Sequence, residues 1–115
     1  MYSEVKTFYI GCIDGKECMD IESFLDSIGK AFKFPDYYGQ NLNALWECLN
    51  DLDWLNENNY ILRVVNYSEL LIKNINIRES ILESLKSVNR EWRNVPNFDG
   101  EQEYRKKSDF FIVLD

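Results

Sequence analysis

FPDYYGQNLNALWECLNDL, residues 34–52, is the stretch around which we interpret the whole chain. Pro35 fixes its own φ and disfavours helix in the residue before it, so a preceding helix ends here. Gly39 then permits a tight turn. After this turn apolar residues recur along one face of a helix, and these are Leu42, Leu45, Leu49 and Leu52. The stretch therefore predicts a loop over 36–41 and a helix over 41–52.

The outward side of this predicted helix has a composition that a core does not need. Asn43 and Glu47 lie one turn apart, Asp51 follows another turn on, and Trp46 stands beside them. A pair of adjacent tyrosines precedes the glycine turn. Tyr and Trp are enriched among the residues that carry protein–protein binding energy. The composition is therefore consistent with an interaction surface.

Negative charge is concentrated in the same part of the chain. The formal net charge is −7 at pH 7, and residues 34–62, which we call the acidic window, contain five acidic residues and no Lys or Arg. One interpretation is a solvated acidic face that serves solubility alone. Another is a patch of one sign that attracts a cationic partner. The interleaved aromatic residues make the second interpretation as strong as the first.

Length and composition indicate one soluble globular domain over residues 1–115. Hydrophobic residues make up 45% of the chain and charged residues 29%, which suits a single core. No apolar run is long enough to span a membrane, and no signal-peptide pattern is visible. Three cysteines at no metal-like spacing indicate reduced thiols and a cytoplasmic location. A pI near 4.6 argues against nucleic acid as a direct ligand.

Strand and helix patterns follow one another in the order β-α-α-β-α-α-β. The patterns predict strands over 8–13, 60–65 and 110–114, and helices over 20–32, 41–52, 67–73 and 77–92. A polar loop over 94–107 precedes the last strand. Strands separated by helices predict an α/β fold, a three-stranded parallel sheet with about four helices packed around it. The first strand, FYIGCI, reads as covered on both faces, which would leave Cys12 unreactive.

Side chains suited to catalysis are scarce. The chain contains no histidine, which removes the commonest general base and metal ligand, and no glycine-rich phosphate loop. Glu47 and Asp51 are a candidate carboxylate pair, although such a pair on a helix face is commonly only solvated. Cys48 lies near the leucine face, where a small buried thiol is the ordinary case. The residues favour binding over catalysis, with no cofactor and no metal.

A longer motif within the opening stretch resembles a known family. Residues 35–49 read PDYYGQNLNALWECL, and the corresponding pattern of the barstar family is PEYYGENLDALWDCL. The order of the other predicted elements also agrees, so the resemblance covers nearly the whole chain, although only residues 36–49 are specific. Barstars are intracellular inhibitors of a secreted bacterial ribonuclease, and immunity proteins against antibacterial toxins share the fold. The chain is therefore identified as a member of this group.

The resemblance implies a mode of action. In the family, the loop before the second helix and that helix block the nuclease active site, and an acidic side chain replaces a substrate phosphate. Carried over by position, Glu47 is that phosphate mimic. With Tyr38 and Asp51 added from the aromatic pair and the acidic window, the expected partner-binding residues are Tyr37, Tyr38, Gly39, Asn41, Asn43, Ala44, Trp46, Glu47 and Asp51. The implied partner is a basic ribonuclease or ribonuclease toxin, with no nucleic acid and no membrane.

Several positions depart from the family pattern. The family's first helix-face Asp is Asn43 here, and its phosphate-mimicking Asp is Glu47, which is one methylene longer. The family's acidic residue on the later helix falls at Ser87, with Glu83 or Glu91 as substitutes. The loop over 94–107 is longer than the family's. These differences bear on the identity of the partner more than on the mode of binding.

Three functions are compatible with these observations. The first is inhibition of a basic ribonuclease or toxin in a bacterial cytoplasm. The second is an acidic binding module for another cationic protein that is not a nuclease. The third is a small α/β enzyme that uses carboxylates or a thiol. For the binding functions, we expect Tyr37, Trp46 and Glu47 to be exposed and contiguous, with the leucines at 42, 45 and 49 buried beneath them.

Overall fold

A computed structural model describes residues 7–115, and its main elements alternate as the sequence predicts. In chain order they are β1 (Phe8–Asp14), α1 (Ile21–Ala31), α2 (Leu42–Leu49), β2 (Asn59–Val65), α3 (Ile75–Arg93) and β3 (Phe110–Leu114). Short 3₁₀ turns lie at Gly15–Glu17, Asp53–Leu55, Tyr67–Glu69, Ile72–Asn74 and Glu101–Glu103. Among the helices of this part of the chain, none has the length and hydrophobicity needed to cross a bilayer.

The three strands form one parallel sheet in the order β1-β2-β3. Phe8 lies opposite Asn59 in the first pair, and Tyr60 lies opposite Phe110 in the second. Helical connections between parallel neighbours are what the alternation of patterns predicts. The α/β fold with a three-stranded parallel sheet is therefore confirmed.

Two of the predicted helices differ in extent from the sequence expectation. The helix expected over 67–73 is replaced by two 3₁₀ turns, because Leu71 between them has a left-handed backbone with φ of 56°. The helix expected to continue to residue 52 ends at Leu49, and Leu52 is left-handed with φ of 51°. A left-handed residue cannot continue a right-handed helix. Three α-helices and a set of 3₁₀ turns therefore stand where about four helices were predicted.

The helices cover one face of the sheet and leave the other bare. Tyr60, Leu62 and Val64 of β2 point to the covered face and are buried. On the opposite face Ile10 is 59% exposed, and Cys12 is exposed as well. The expectation that the first strand is covered on both faces is therefore wrong. The reason is topological: strand order β1-β2-β3 advances in one direction, so two right-handed crossovers place their helices on the same side.

The segment between α3 and β3 is organised around a buried ion pair. Within residues 94–107, where the sequence predicts a polar loop, one 3₁₀ turn begins at Glu101. Arg105 Nη1 lies 3.1 Å from Glu101 Oε2, and the two side chains are 10% and 3% exposed. Arg105 Nη2 also donates to Asn50 Oδ1 at 2.9 Å, just after α2. Residues 94–107 are thus attached to the C-terminal end of α2.

Candidate partner-binding site

Tyr38 fixes the loop before α2 to the body of the protein. Its hydroxyl donates to the carbonyl of Leu25 at 3.1 Å, and its ring meets the ring of Phe34 edge-on at 4.7 Å. The ring also lies over Gly29 of α1, where a Cβ would be 2.9 Å from it. Burial raises the pKa of Tyr38 to about 12. Tyr38, expected among the contact residues, is therefore half-buried and holds the loop in place.

Asn41 is the N-cap of α2. Its Oδ1 accepts from the backbone N–H of Ala44 at 2.9 Å, which satisfies one of the free donors in the first turn. The left-handed residue of the loop is Gln40, with φ of 48°, and not Gly39, the residue that was expected to permit the turn. A Cβ on Gly39 would lie 3.1 Å from Asn41 Nδ2, so the glycine leaves room for the capping side chain.

The inward face of α2 is narrower than the leucine pattern predicts. Leu45, Cys48 and Leu49 are buried, but Leu42 is 37% exposed. The expectation that Leu42 lies beneath the surface is wrong, because it is the first residue of α2 and lies at the exposed end of the helix. Leu52, which follows the helix, is fully buried.

The outward face of α2 brings several of the expected contact residues together. Tyr37 is 74% exposed, and Glu47 and Asp51 are exposed as well. These three side chains line one open cavity of about 230 Å³ together with half-buried Ala44. Asn43 is exposed on the same helix. The structure thus gives a continuous surface of aromatic, small and acidic groups.

Trp46 differs from the other two tryptophans in its indole N–H. Trp54 Nε1 donates to the carbonyl of Phe32 at 2.8 Å, and Trp92 Nε1 donates to the carbonyl of Leu49 at 2.9 Å. The expectation that Trp46 is exposed like Tyr37 and Glu47 is wrong, because its ring is half-buried against the core. Its indole N–H has no hydrogen-bond acceptor within residues 7–115. A buried tryptophan usually finds an acceptor. The N–H of Trp46 therefore stays available to solvent or to a partner.

The carboxylates of the acidic window are not neutralised by the fold. Within residues 7–115, no ion pair involves Asp36, Glu47, Asp51, Asp53 or Glu57. Elsewhere acidic groups do pair, as between Lys30 and Asp26 at 2.9 Å. Partial burial, followed by the negative charge of Asp51, raises the pKa of the Tyr37 hydroxyl. The window is therefore a region of unbalanced negative potential.

Glu83 and Glu91, the two acidic substitutes considered on α3, differ in whether their charge is already paired. Glu83 forms an ion pair with Lys86 at 3.3 Å. The Ser87 hydroxyl donates to the carbonyl of Glu83 and accepts from Arg90 Nη2. Glu91 is exposed and has no ion pair in the part of the chain described here. Of the two acidic substitutes, only Glu91 thus presents a charge that is unpaired within residues 7–115.

Thiol and metal chemistry receive no support from the geometry. Burial, with smaller contributions from Asp51 and Glu47, raises the pKa of Cys48, which keeps the thiol protonated and unreactive. Cys18 is buried too, and Cys12 is exposed on the bare face of the sheet. All three are free thiols. Among residues 7–115, no group of three or more acidic or cysteine side chains is placed to hold a metal ion.

Fold and surface together define a class: a small α/β protein with an acidic helix face whose carboxylates form no ion pair within residues 7–115. The sequence profile described as "Barstar (barnase inhibitor)" matches residues 8–115, and the chain belongs to the Barstar family. Among curated proteins, "Putative ribonuclease inhibitor YrdF" of Bacillus subtilis (strain 168) is 51% identical over 37 residues. That match covers 32% of this chain and 41% of the relative. The chain therefore spans about two fifths of the length of the curated relative.

Proposed function

We propose that this protein inhibits a basic ribonuclease by covering its active site with residues 36–41 and α2. The Glu47 carboxylate takes the position of a substrate phosphate, among the cationic groups that bind RNA. Tyr37, Gly39, Asn43, Ala44, Trp46 and Asp51 form the rest of the contact surface, and Tyr38 and Asn41 hold it in shape.

One observation carries this proposal: Glu47 is exposed and unpaired within residues 7–115, in a surface without a cation. A carboxylate desolvated against the arginine or lysine of a partner makes a strong interaction only if no cation of its own protein already binds it. Because no cation within residues 7–115 pairs with Glu47, its charge is available to a partner. Family membership and the name of the relative support a nuclease as the source of those cations.

The proposal also implies where the protein acts and what kind of partner it binds. It acts as an inhibitor and has no reaction of its own. Three free thiols suit the reducing cytoplasm of the bacterium that makes the nuclease or meets it as a toxin. The partner is recognised as a protein, without RNA or membrane.

The test is a titration of barnase with the purified chain, followed by cleavage of a fluorescent RNA substrate. We expect stoichiometric loss of cleavage at nanomolar concentrations. A basic ribonuclease of unrelated fold and lysozyme, a cationic protein that is not a nuclease, are the controls. Equal binding to all three proteins would support a general acidic binding module and would overturn the proposal, as would uninhibited barnase.

A further inference from the structure

A second, larger depression adjoins the proposed contact surface. It lies between the C-terminal end of α2, the turn Asp53–Leu55 and residues 102–106, and its volume is about 770 Å³. We refer to it as the lateral groove. Asp51 lines both the lateral groove and the smaller cavity that contains Tyr37 and Glu47. The lateral groove therefore continues the surface that the proposed function assigns to the nuclease.

The inner wall of the lateral groove is fixed by Arg105. Its guanidinium lies 3.9 Å from the centroid of the Trp92 ring, and it binds Glu101 and Asn50 as described above. The side chain is only 10% exposed. The positive charge of Arg105 is thus neutralised inside the protein, and the residues after Gly100 are held against α2.

The charge that remains in the lateral groove is strongly negative. Asp51, Asp53 and Glu57 line one side and Glu103 the other, and none has an ion pair within residues 7–115. The remaining cation, Lys106, donates to Asn58 at 2.6 Å. Four carboxylates therefore face one ammonium group, which is complementary to a cationic partner.

An exposed aromatic ring completes the wall. Tyr104 lines the lateral groove and is 71% exposed, and its ring centroid lies 6.4 Å from that of Phe98, which is 57% exposed. A guanidinium group stacks on an aromatic face and donates paired hydrogen bonds to a carboxylate, whereas an ammonium group acts as a point charge. The combination of ring and carboxylates therefore suits an arginine side chain.

We propose that the lateral groove is a second contact site for the ribonuclease, and that it receives an arginine side chain from outside the nuclease active site. This inference rests on the proposed function and assigns residues 100–106 a role in it. The contact adds affinity beside the Glu47 contact, and it gives selectivity for nucleases that carry an arginine at that distance.

The experiment measures the Kd of the barnase complex for paired charge variants. Asp53→Asn/Glu103→Gln removes two charges from the lateral groove, and Glu22→Gln/Glu79→Gln removes two exposed charges elsewhere that form no ion pair within residues 7–115. We expect the first pair to raise Kd about tenfold and the control pair to raise it less than about twofold, because only the first loses a contact. Tyr104→Ala should raise Kd about fivefold. Melting temperatures should stay at the parent value, since all five side chains lie at the surface.

The outcomes separate the two proposals. If Glu47→Ala weakens binding while the groove variants bind like their control pair, the second contact site is wrong and the proposed function stands. If the parent does not bind barnase, both are wrong. A double-mutant cycle between Tyr104→Ala and single arginine-to-alanine variants of barnase then tests the arginine itself. Additivity for every arginine outside the active site would overturn its assignment.

Discussion

Glu47 and Glu101 show how differently two acidic regions of this molecule use a carboxylate. Glu101 is 3% exposed, accepts from the backbone N–H of Asn97 and pairs with Arg105. Glu47 is exposed and unbound within residues 7–115. A bound carboxylate stabilises the fold, whereas an unbound one is free for a partner. Mutations at the two positions should therefore separate stability from binding.

The largest expected effect is on binding at Glu47. Glu47→Ala leaves cationic groups of the nuclease buried and unpaired, which should cost about 2–5 kcal/mol of binding, mostly through faster dissociation. That range draws partly on the barnase–barstar complex, which is the family's own. Surface plasmon resonance with barnase measures the dissociation rate, and calorimetry should show an unchanged melting temperature. If Glu47→Ala inhibits like the parent while Trp46→Ala does not, the aromatic contact dominates instead.

The next largest effect is on stability at Glu101. Glu101→Ala leaves the Arg105 guanidinium without its carboxylate and should cost about 3 kcal/mol of unfolding free energy, the low end of the range for a broken buried pair. Urea unfolding measures the change. Glu103→Ala, two residues away and exposed, is the control and should stay within about 0.5 kcal/mol of the parent. Equal losses for the two variants would contradict this account.

Two asparagines of the α2 region offer a similar comparison, with smaller expected changes in unfolding free energy. Asn41→Ala removes the N-cap of α2 and should lower the unfolding free energy by about 1 kcal/mol. Asn43→Ala removes an exposed side chain with no hydrogen bond within residues 7–115 and should leave stability within about 0.5 kcal/mol. Thermal unfolding of both variants tests this. A larger loss at Asn43 than at Asn41 would show that the cap is not the stabilising contact.

The smallest expected effect is on how the unfolding free energy declines at acidic pH. Hydrogen bonds from the Asn97 backbone N–H, the Asn97 amide and Arg105 lower the pKa of Glu101. A lowered pKa in the folded state gives stability that is present above the ordinary carboxyl pKa and is lost as pH falls through the folded value. Glu101→Gln should therefore flatten the decline of unfolding free energy between about pH 5 and pH 2. The unfolding free energy is measured by urea titration at each pH. If it declines as steeply in Glu101→Gln as in the parent, Glu101 makes no such contribution.

Much of the fold follows from periodicity. Leucines at helical spacing predict the buried face of α2, and three β-branched or aromatic runs predict the sheet, because burial of apolar side chains fixes both patterns. The bare sheet face does not follow in the same way. The apolar run around Cys12 reads as covered on both sides, but the handedness of two crossovers decides which face the helices occupy.

The sequence indicates the exposed surface around α2 as a candidate site, but it does not indicate which of the residues there are exposed and which are anchored. Tyr37 and Tyr38 are adjacent and identical in sequence, yet one is exposed and the other is anchored to Leu25 and Gly29. Asn41 is a good capping residue, but so is Asn43 two positions later. The Arg105–Asn50 contact joins residues 55 positions apart, and no local pattern indicates such a pairing.

The parallel sheet has a consequence for how quickly the protein becomes active after synthesis. Its register pairs Phe8 with Asn59 and Tyr60 with Phe110, so each pairing closes a loop of about fifty residues. Such distant contacts slow folding, because chain entropy is lost before the contacts form. The carbonyl of Leu49, in the last turn of α2, accepts a hydrogen bond from Trp92. Trp92 lies in the connection between β2 and β3. The acidic surface is therefore expected to reach its final geometry late, and under the proposed function the time to fold would set the interval in which a nuclease acts unopposed.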